Sequence, residues 1–154
     1  MPRLLLLCLA LALAVPASAQ TSSELVTWRV RADRAAPGAQ ARVVIDAAVA
    51  DGWRLYALGS EVGIPLTVAL DVLPAGVTAG PLRQSGVRRA YDEAFEAHYP
   101  YFAGAGRVVQ WLRLARGTPA GTHEVSGTVR FAVCDDRICL PPARSTFRVP
   151  LVVE

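Results

Sequence analysis

Two cysteines near the end of the chain have the clearest capacity for chemistry. They bound the segment Cys134-Asp135-Asp136-Arg137-Ile138-Cys139, which runs on into Leu140 and Pro141-Pro142. A turn of that length lets the two sulfurs reach each other. Two successive prolines lack backbone N–H groups, so the chain must leave any sheet edge there. A disulfide closing a loop of about six residues stabilises a fold by roughly 2 kcal/mol on the loop-entropy estimate, less than a bridge between distant strands. Such a bond is a weak staple, yet it can open and close without moving the rest of the fold. Exchange needs one sulfur open to attack and the other able to leave. Arg137 lowers the pKa of a neighbouring thiol, whereas Asp135 and Asp136 raise it. Spacing alone therefore leaves a structural and a redox role both open.

Other chemistries are poorly supplied. Two thiolates could hold zinc or copper(I), but His98 and His123 are the only histidines and the single methionine is the initiator. A soft-metal site gathers more ligands than that, so no metal is expected. No Gly-rich phosphate loop is present, and Gly59-Ser60-Glu61-Val62 lacks the Gly-x-Ser-x-Gly elbow of a serine hydrolase. The chain carries 16 basic and 13 acidic residues, a formal charge of +3, and every basic residue is Arg. Beyond Arg3 they are scattered from Arg29 to Arg148 without the stripe that neutralises several phosphates at once, so no nucleic-acid partner is expected.

The elements that position the cysteines follow from hydropathy and turn chemistry. Met1-Pro2-Arg3, the apolar run Leu4 to Val15 and the small-x-small site Ala17-Ser18-Ala19 have the form of a secretory signal peptide, with cleavage after Ala19. The run is too short to span a bilayer and no comparable run follows, so a periplasmic or otherwise exported product without stable membrane insertion is expected. Lipidation at Cys8 is the alternative, but it would leave Leu9 to Val15 as an apolar N-terminus. The expected organisation is residues 1–19 as signal and 20–154 as one domain. The product has 135 residues and a formal charge of +2, only Arg3 being lost. A chain of that size needs no staple to build its core. Cys8 leaves with the signal, so Cys134 and Cys139 are the two cysteines of a compartment in which disulfides persist.

Apolar residues alternate at a period of two, as in Val26, Trp28, Val30 and in Val125, Gly127, Val129, Phe131, Val133. Pro37-Gly38, Asp51-Gly52, Pro74-Ala75-Gly76 and Pro119-Ala120-Gly121 punctuate these runs as turns. The pattern predicts strands over 25–31, 41–50, 53–59, 65–73, 107–115, 123–133 and 145–153, with no internal repeat. Seven short strands without a sustained helical period predict an all-β, immunoglobulin-like antiparallel sandwich. The alternation puts Cys134 on the polar face with Ser126, Thr128 and Arg130, near solvent or under a lid. The stretch from Pro74 to Gly106 is predicted as a long loop, and its aromatics argue against disorder. Residue type favours Phe95, Tyr99, Tyr101 and Phe102 as a plug at one end of the sandwich over a lid, and their position relative to the cysteines decides between the two.

The chain resembles the N-terminal periplasmic (alpha) domain of the thiol:disulfide interchange protein DsbD family. The resemblance is carried by Asp51-Gly52-Trp53-Arg54-Leu55-Tyr56, by Tyr91-Asp92-Glu93-Ala94-Phe95 and, most specifically, by Val133-Cys134-Asp135-Asp136-Arg137-Ile138-Cys139-Leu140-Pro141-Pro142. It extends over nearly all of residues 20–154. It implies an immunoglobulin-like fold and a protein-disulfide reductase type of thiol–disulfide oxidoreductase without a bound cofactor. Cys134 and Cys139 would cycle between disulfide and dithiol, taking electrons from a thioredoxin-like or membrane donor and passing them to oxidised periplasmic proteins. Cys139 would attack the partner's disulfide and Cys134 resolve the mixed disulfide. An aromatic cap covers the pair in the family. Motif position makes Phe95 the candidate cap, Asp92 and Glu93 the acids beside it, and Trp53 and Tyr56 residues lining the site. Full-length members continue into a multi-span membrane domain and a thioredoxin-like domain, whereas this sequence stops at Glu154, so separate proteins would supply the electrons to what is expected to be a monomer. The alternative is a non-catalytic immunoglobulin-like binding module, an assembly or adhesion factor whose short disulfide is structural.

Overall fold

A computed structural model describes residues 20–93 and 95–154. The expected signal peptide, 1–19, lies outside the described residues. One helical turn, α1 (Ser22–Leu25), leads into twelve strands: β1 (Val26–Ala32), β2 (Arg34–Ala35), β3 (Gln40–Val49), β4 (Arg54–Tyr56), β5 (Thr67–Val72), β6 (Val77–Ser85), β7 (Arg88–Asp92), β8 (Ala97–Phe102), β9 (Ala105–Leu114), β10 (Gly121–Phe131), β11 (Val133–Cys134) and β12 (Ala143–Val153). They form three four-stranded sheets, in the orders β1-β3-β9-β6, β2-β12-β10-β5 and β11-β4-β8-β7.

The first two sheets make the immunoglobulin-like sandwich that the alternation predicts. Along β9 the residues Gly106, Val108, Gln110, Leu112 and Leu114 are buried and their neighbours are not; along β12 the same holds for Phe147, Val149, Leu151 and Val153. Their inward faces join one apolar core, in which Val43, Ile45 and Leu112 of the first sheet and Val125, Phe131 and Leu151 of the second are shut off from solvent. Burying a side chain of that size stabilises the fold by roughly 1.5–3 kcal/mol, and this sum, not the cysteines, holds the sandwich together. All pairings are antiparallel except the two-residue contact of β2 with β12. Several of the scattered arginines are matched on the surface, Arg31 and Arg107 with Asp46, Arg42 with Asp33 and Arg34 with Glu154.

Three sequence expectations are corrected. The stretch from Pro74 to Gly106 is not a long loop, because it folds into β6, β7 and β8. β6 is hidden in the sequence because it is an edge strand burying little of its length, and because its register with β9 shifts between Ala79 and Leu82, at Gly80-Pro81. A proline fits an edge strand at such an irregularity. The buried Gln110 donates its amide N–H to the carbonyls of Gly80 and Trp111, which satisfies the irregular backbone. The strand expected over 53–59 contracts to β4, since Leu58 and Gly59 enter a turn. The strand expected over 123–133 ends at Phe131, and after Ala132 the chain changes sheets as β11, pairing with β4 instead of β5 and β12.

That change of partner creates the third sheet. Phe131 and Ala143 close the long β10–β12 ladder, and residues 132–142 leave and re-enter between them. Within this excursion Val133 and Cys134 pair with Leu55 and Arg54, while Leu55 and Tyr56 pair on their other side with Phe102 and Tyr101.

Candidate functional site

β4 explains how so short a strand builds a site. Leu55 is fully buried in the main core and Trp53, just before it, packs half-buried against the same core. Arg54 and Tyr56 have the opposite parity and turn to the other side, where they line a cleft of about 390 Å³ with Tyr91, Asp92, Tyr99 and the cysteine turn. Trp53 therefore does not line the site as expected, and the reason is the period of two along a strand. Arg54, which the sequence reading passed over, does; the same parity that links it to Tyr56 is the signal that finds it. β8 repeats the division, with Phe102 in the main core and Tyr99 in a second, smaller cluster with Tyr56, Val62 and Cys134.

Cys134 and Cys139 are joined as a disulfide, with their Cα atoms 4.0 Å apart. The turn between them is held by its own polar groups. Asp135 accepts hydrogen bonds from the backbone N–H groups of Arg137 and Ile138, each at 2.7 Å, and its own N–H donates to the Ile138 carbonyl at 3.0 Å. Those donors, Ile138 first and Arg137 next, hold the Asp135 carboxyl below its usual range. Beyond the turn, the Leu140 N–H donates to the Val133 carbonyl at 2.9 Å, and the Ser22 hydroxyl donates to the Pro141 carbonyl at 2.7 Å. A proline carbonyl still accepts, so the N-terminal turn ties down a segment that cannot rejoin a ladder.

The two sulfurs differ in access. Cys134 is buried, at 6% exposure, and Cys139 is exposed. The alternation places Cys134 as expected, on the face opposite the apolar one and under a cover: Val133 carries the apolar face of β10 on into the main core, and Cys134 leaves on the other side beneath Tyr56 and Tyr99. Neither sulfur of a disulfide carries a proton, so the Tyr56 hydroxyl is the donor, 3.5 Å from the Cys134 sulfur and 3.9 Å from that of Cys139. Burial pushes the Tyr56 phenol above its ordinary pKa; Tyr99 and Asp92 act in the same direction and Arg54 against it. The Tyr56 and Tyr99 rings lie 5.4 Å apart, and those of Tyr99 and Tyr101 5.7 Å. Arg54 donates to the Tyr99 hydroxyl at 3.4 Å and pairs with Asp136, between the cysteines, at 2.6 Å.

The aromatic stretch divides between its two readings. Phe102 is core, Tyr99 is buried against the disulfide and Tyr101 is half-buried beside it. Phe95 plugs nothing: it sits in the β7–β8 turn with 66% of its surface exposed, its N–H donating to the Asp92 carboxylate at 3.1 Å. Asp92 and Glu93 line the cleft, and Phe95 stands outside its lining. The structure thus brings together Cys134, Cys139, Tyr56, Asp92 and Glu93, with Phe95 at the rim and Trp53 elsewhere. His98 is exposed and packs edge-on against Tyr91, and His123 bonds to the Pro119 carbonyl, so neither stands beside the sulfurs. Among the described residues no group of three or more His, Cys, Asp or Glu could hold a metal ion, and no helix is long and apolar enough to cross a membrane.

Comparison with known proteins follows the same lines. The family model of the N-terminal domain of the thiol:disulfide interchange protein DsbD matches residues 23–151. The fold is similar to the crystal structure of the DsbD N-terminal domain of Neisseria meningitidis in the reduced form, with a TM-score of 0.59 and 16% identity over 86% of this chain and 90% of that one. It is also similar to the N-terminal periplasmic domain of ScsB from Proteus mirabilis, with a TM-score of 0.55 and 10% identity, covering 84% of this chain and 47% of that one. No curated protein sequence matches the chain.

Proposed function

The chain belongs to the family of DsbD N-terminal domains, which carry out thiol–disulfide exchange with thiol–disulfide partner proteins, and from that premise we propose that it is an electron relay whose working group is the Cys134–Cys139 pair. One observation carries the reading: Cys139, an exposed residue, is bonded to the buried Cys134, whose sulfur a phenol hydroxyl approaches. A nucleophile must reach the sulfur it attacks, and the sulfur that leaves must be stabilised as a thiolate. The access of the two sulfurs favours attack at Cys139. A donor thiolate bonds to the Cys139 sulfur, the Cys134–Cys139 bond breaks and its electron pair leaves on Cys134, where the Tyr56 hydroxyl donates to it. The donor's second thiolate then attacks its own sulfur in the mixed disulfide, forms the donor disulfide and releases Cys139 as a thiolate. Two electrons have entered the chain. With an oxidised acceptor the steps reverse: Cys139 attacks, and Cys134 resolves.

The donor of this scheme is a thioredoxin-like or membrane dithiol and the acceptors are oxidised periplasmic proteins, the protein-disulfide reductase direction. Residues 1–19 act as a cleavable export signal, and residues 20–154 form the single working domain. Asp92 and Glu93 adjust thiolate formation from the cleft wall, and Phe95 caps the pair by a swing of the β7–β8 turn. A binding module with a purely structural disulfide is not favoured, since the family exchanges thiols and the short loop is a weak staple.

The test is a glutathione or dithiothreitol titration of the purified protein, reading the pair by thiol alkylation and mass shift. The relay expects a midpoint within reach of a thioredoxin-like donor, about −270 mV, and rapid reduction by such a protein. A pair that stays oxidised well below about −300 mV, as structural disulfides do, overturns the relay in favour of the binding module.

A further inference from the structure

The cleft presents four carboxylates, Asp92, Glu93, Asp135 and Asp136, against two guanidiniums, Arg54 and Arg137. Net negative surroundings disfavour a thiolate. Yet a disulfide that exchanges must release one sulfur as a thiolate, here the buried one of Cys134. A compensating cation has to lie on the Cys134 side, and the two arginines differ in this. Arg137 is exposed on the turn itself. Arg54 is the residue directly opposite Cys134 in the β4–β11 ladder, where side chains of paired residues leave on one face about 5 Å apart. Its guanidinium is held on three sides: it lies 5.6 Å from the centre of the Tyr101 ring, donates to the Tyr99 hydroxyl and pairs with Asp136. Tyr99 is itself in the cluster that buries Cys134.

We propose that Arg54 is a positioning residue that sets how readily the disulfide is reduced, its guanidinium being held beside Cys134 to favour the thiolate formed there when the bond opens. The inference rests on the relay reading. When a donor thiolate bonds to the Cys139 sulfur, the electron pair of the broken S–S bond passes to Cys134, and the negative charge arises across the ladder from Arg54. In the disulfide form the same guanidinium is occupied by Asp136, whose side chain is 80% exposed and gives the cation up at little cost. Asp136 is therefore a competitor for Arg54, and its removal favours reduction.

Arg54 and Asp136 can be separated by sign. If the ion pair acted only as a clamp on the turn, Arg54→Met and Asp136→Asn would shift the equilibrium in the same direction, because each breaks the clamp. The proposal expects opposite directions. In glutathione equilibria of the full chain at pH 8 and low salt, with the pair read by alkylation, Arg54→Met lowers the equilibrium constant for reduction about tenfold, equivalent to roughly 30 mV. Arg54→Lys retains most of the wild-type value, and Asp136→Asn raises it severalfold. Shifts of one sign for Arg54→Met and Asp136→Asn, or no shift in either, overturn the proposal. If Arg54→Met does not fold, Arg54→Gln takes its place, a fall supporting the assignment and a rise or no change sinking it, since Asp136→Asn also removes a carboxylate that disfavours the thiolate whatever Arg54 does. The wild-type midpoint tests the relay separately, so a reducible wild-type pair with an unchanged Arg54→Met removes only the role of Arg54.

Discussion

In the proposed relay Tyr56 is the hydrogen-bond donor to the sulfurs, and its surroundings fix it there. Its ring packs at 5.4 Å from that of Tyr99, and on another side it meets Gly63, where a Cβ would come within 2.4 Å of the ring. Gly63 also has φ +68, a conformation that favours glycine. The ring therefore has no room to retreat, and its hydroxyl stays at the sulfurs. Because burial raises its pKa, the phenol keeps its proton throughout the range in which thiols titrate, and the donor persists as pH rises. A hydrogen bond to a charged acceptor contributes about 1.5–3 kcal/mol, so Tyr56→Phe is expected to slow reduction by a thioredoxin-like protein by between about tenfold and about a hundredfold. Stopped-flow rates between pH 6 and 9 check this: the ratio of wild type to variant stays nearly constant, and equal rates remove Tyr56 from the mechanism. The sequence made the two cysteines legible at this scale, since they are the cysteines that remain once the expected signal peptide is set aside. Arg54 was not legible, because its meaning lies in a pairing with a residue eighty positions away.

At the scale of elements, the β7–β8 hairpin forms one wall of the cleft and carries its most exposed aromatic. β7 is the edge of its sheet, and the turn beyond it is closed by the Asp92 carboxylate on the Phe95 N–H, with Glu96 in a left-handed conformation at φ +50. Phe95 is exposed, so it contributes little to the fold, and Phe95→Ala is expected to change unfolding free energy by less than about 0.5 kcal/mol. If the hairpin carries a cap, the same variant speeds reaction of the pair with small thiols severalfold. A denaturation midpoint and a dithiothreitol rate read the two effects apart: a large loss of stability would restore the core plug, and an unchanged rate would end the cap. Most strands were visible in the sequence wherever one face is buried, as in β3, β9, β10 and β12. β6 and β7 were not, because edge strands leave no clean alternation, and Gly80-Pro81 reads as a turn when it is an irregularity within a strand; β8 is an inner strand, but the consecutive burial of Tyr99 and Pro100 breaks its alternation.

For the molecule as a whole, the disulfide lies apart from the interior that holds the fold. Cys134 belongs to the small tyrosine cluster, while the main core is built by the two large sheets. A double variant, Cys134→Ser with Cys139→Ser, is therefore expected to fold and to lose about 2 kcal/mol or less, the loop-entropy contribution of so short a bridge. Urea denaturation checks this, and a chain that cannot fold without the bond would make it a structural staple. Sequence by itself determined the fold class, because a period of two in hydropathy reports which side of a strand is buried whatever its partner. It also determined which two sulfurs bond, because two cysteines separated by a short turn reach each other in almost any fold. Only the tertiary structure decided which sulfur is buried and which cation and phenol attend it. Those depend on where the chain changes sheets after Ala132, and strand pairing between distant segments is a property of the packed molecule, which local pattern does not encode.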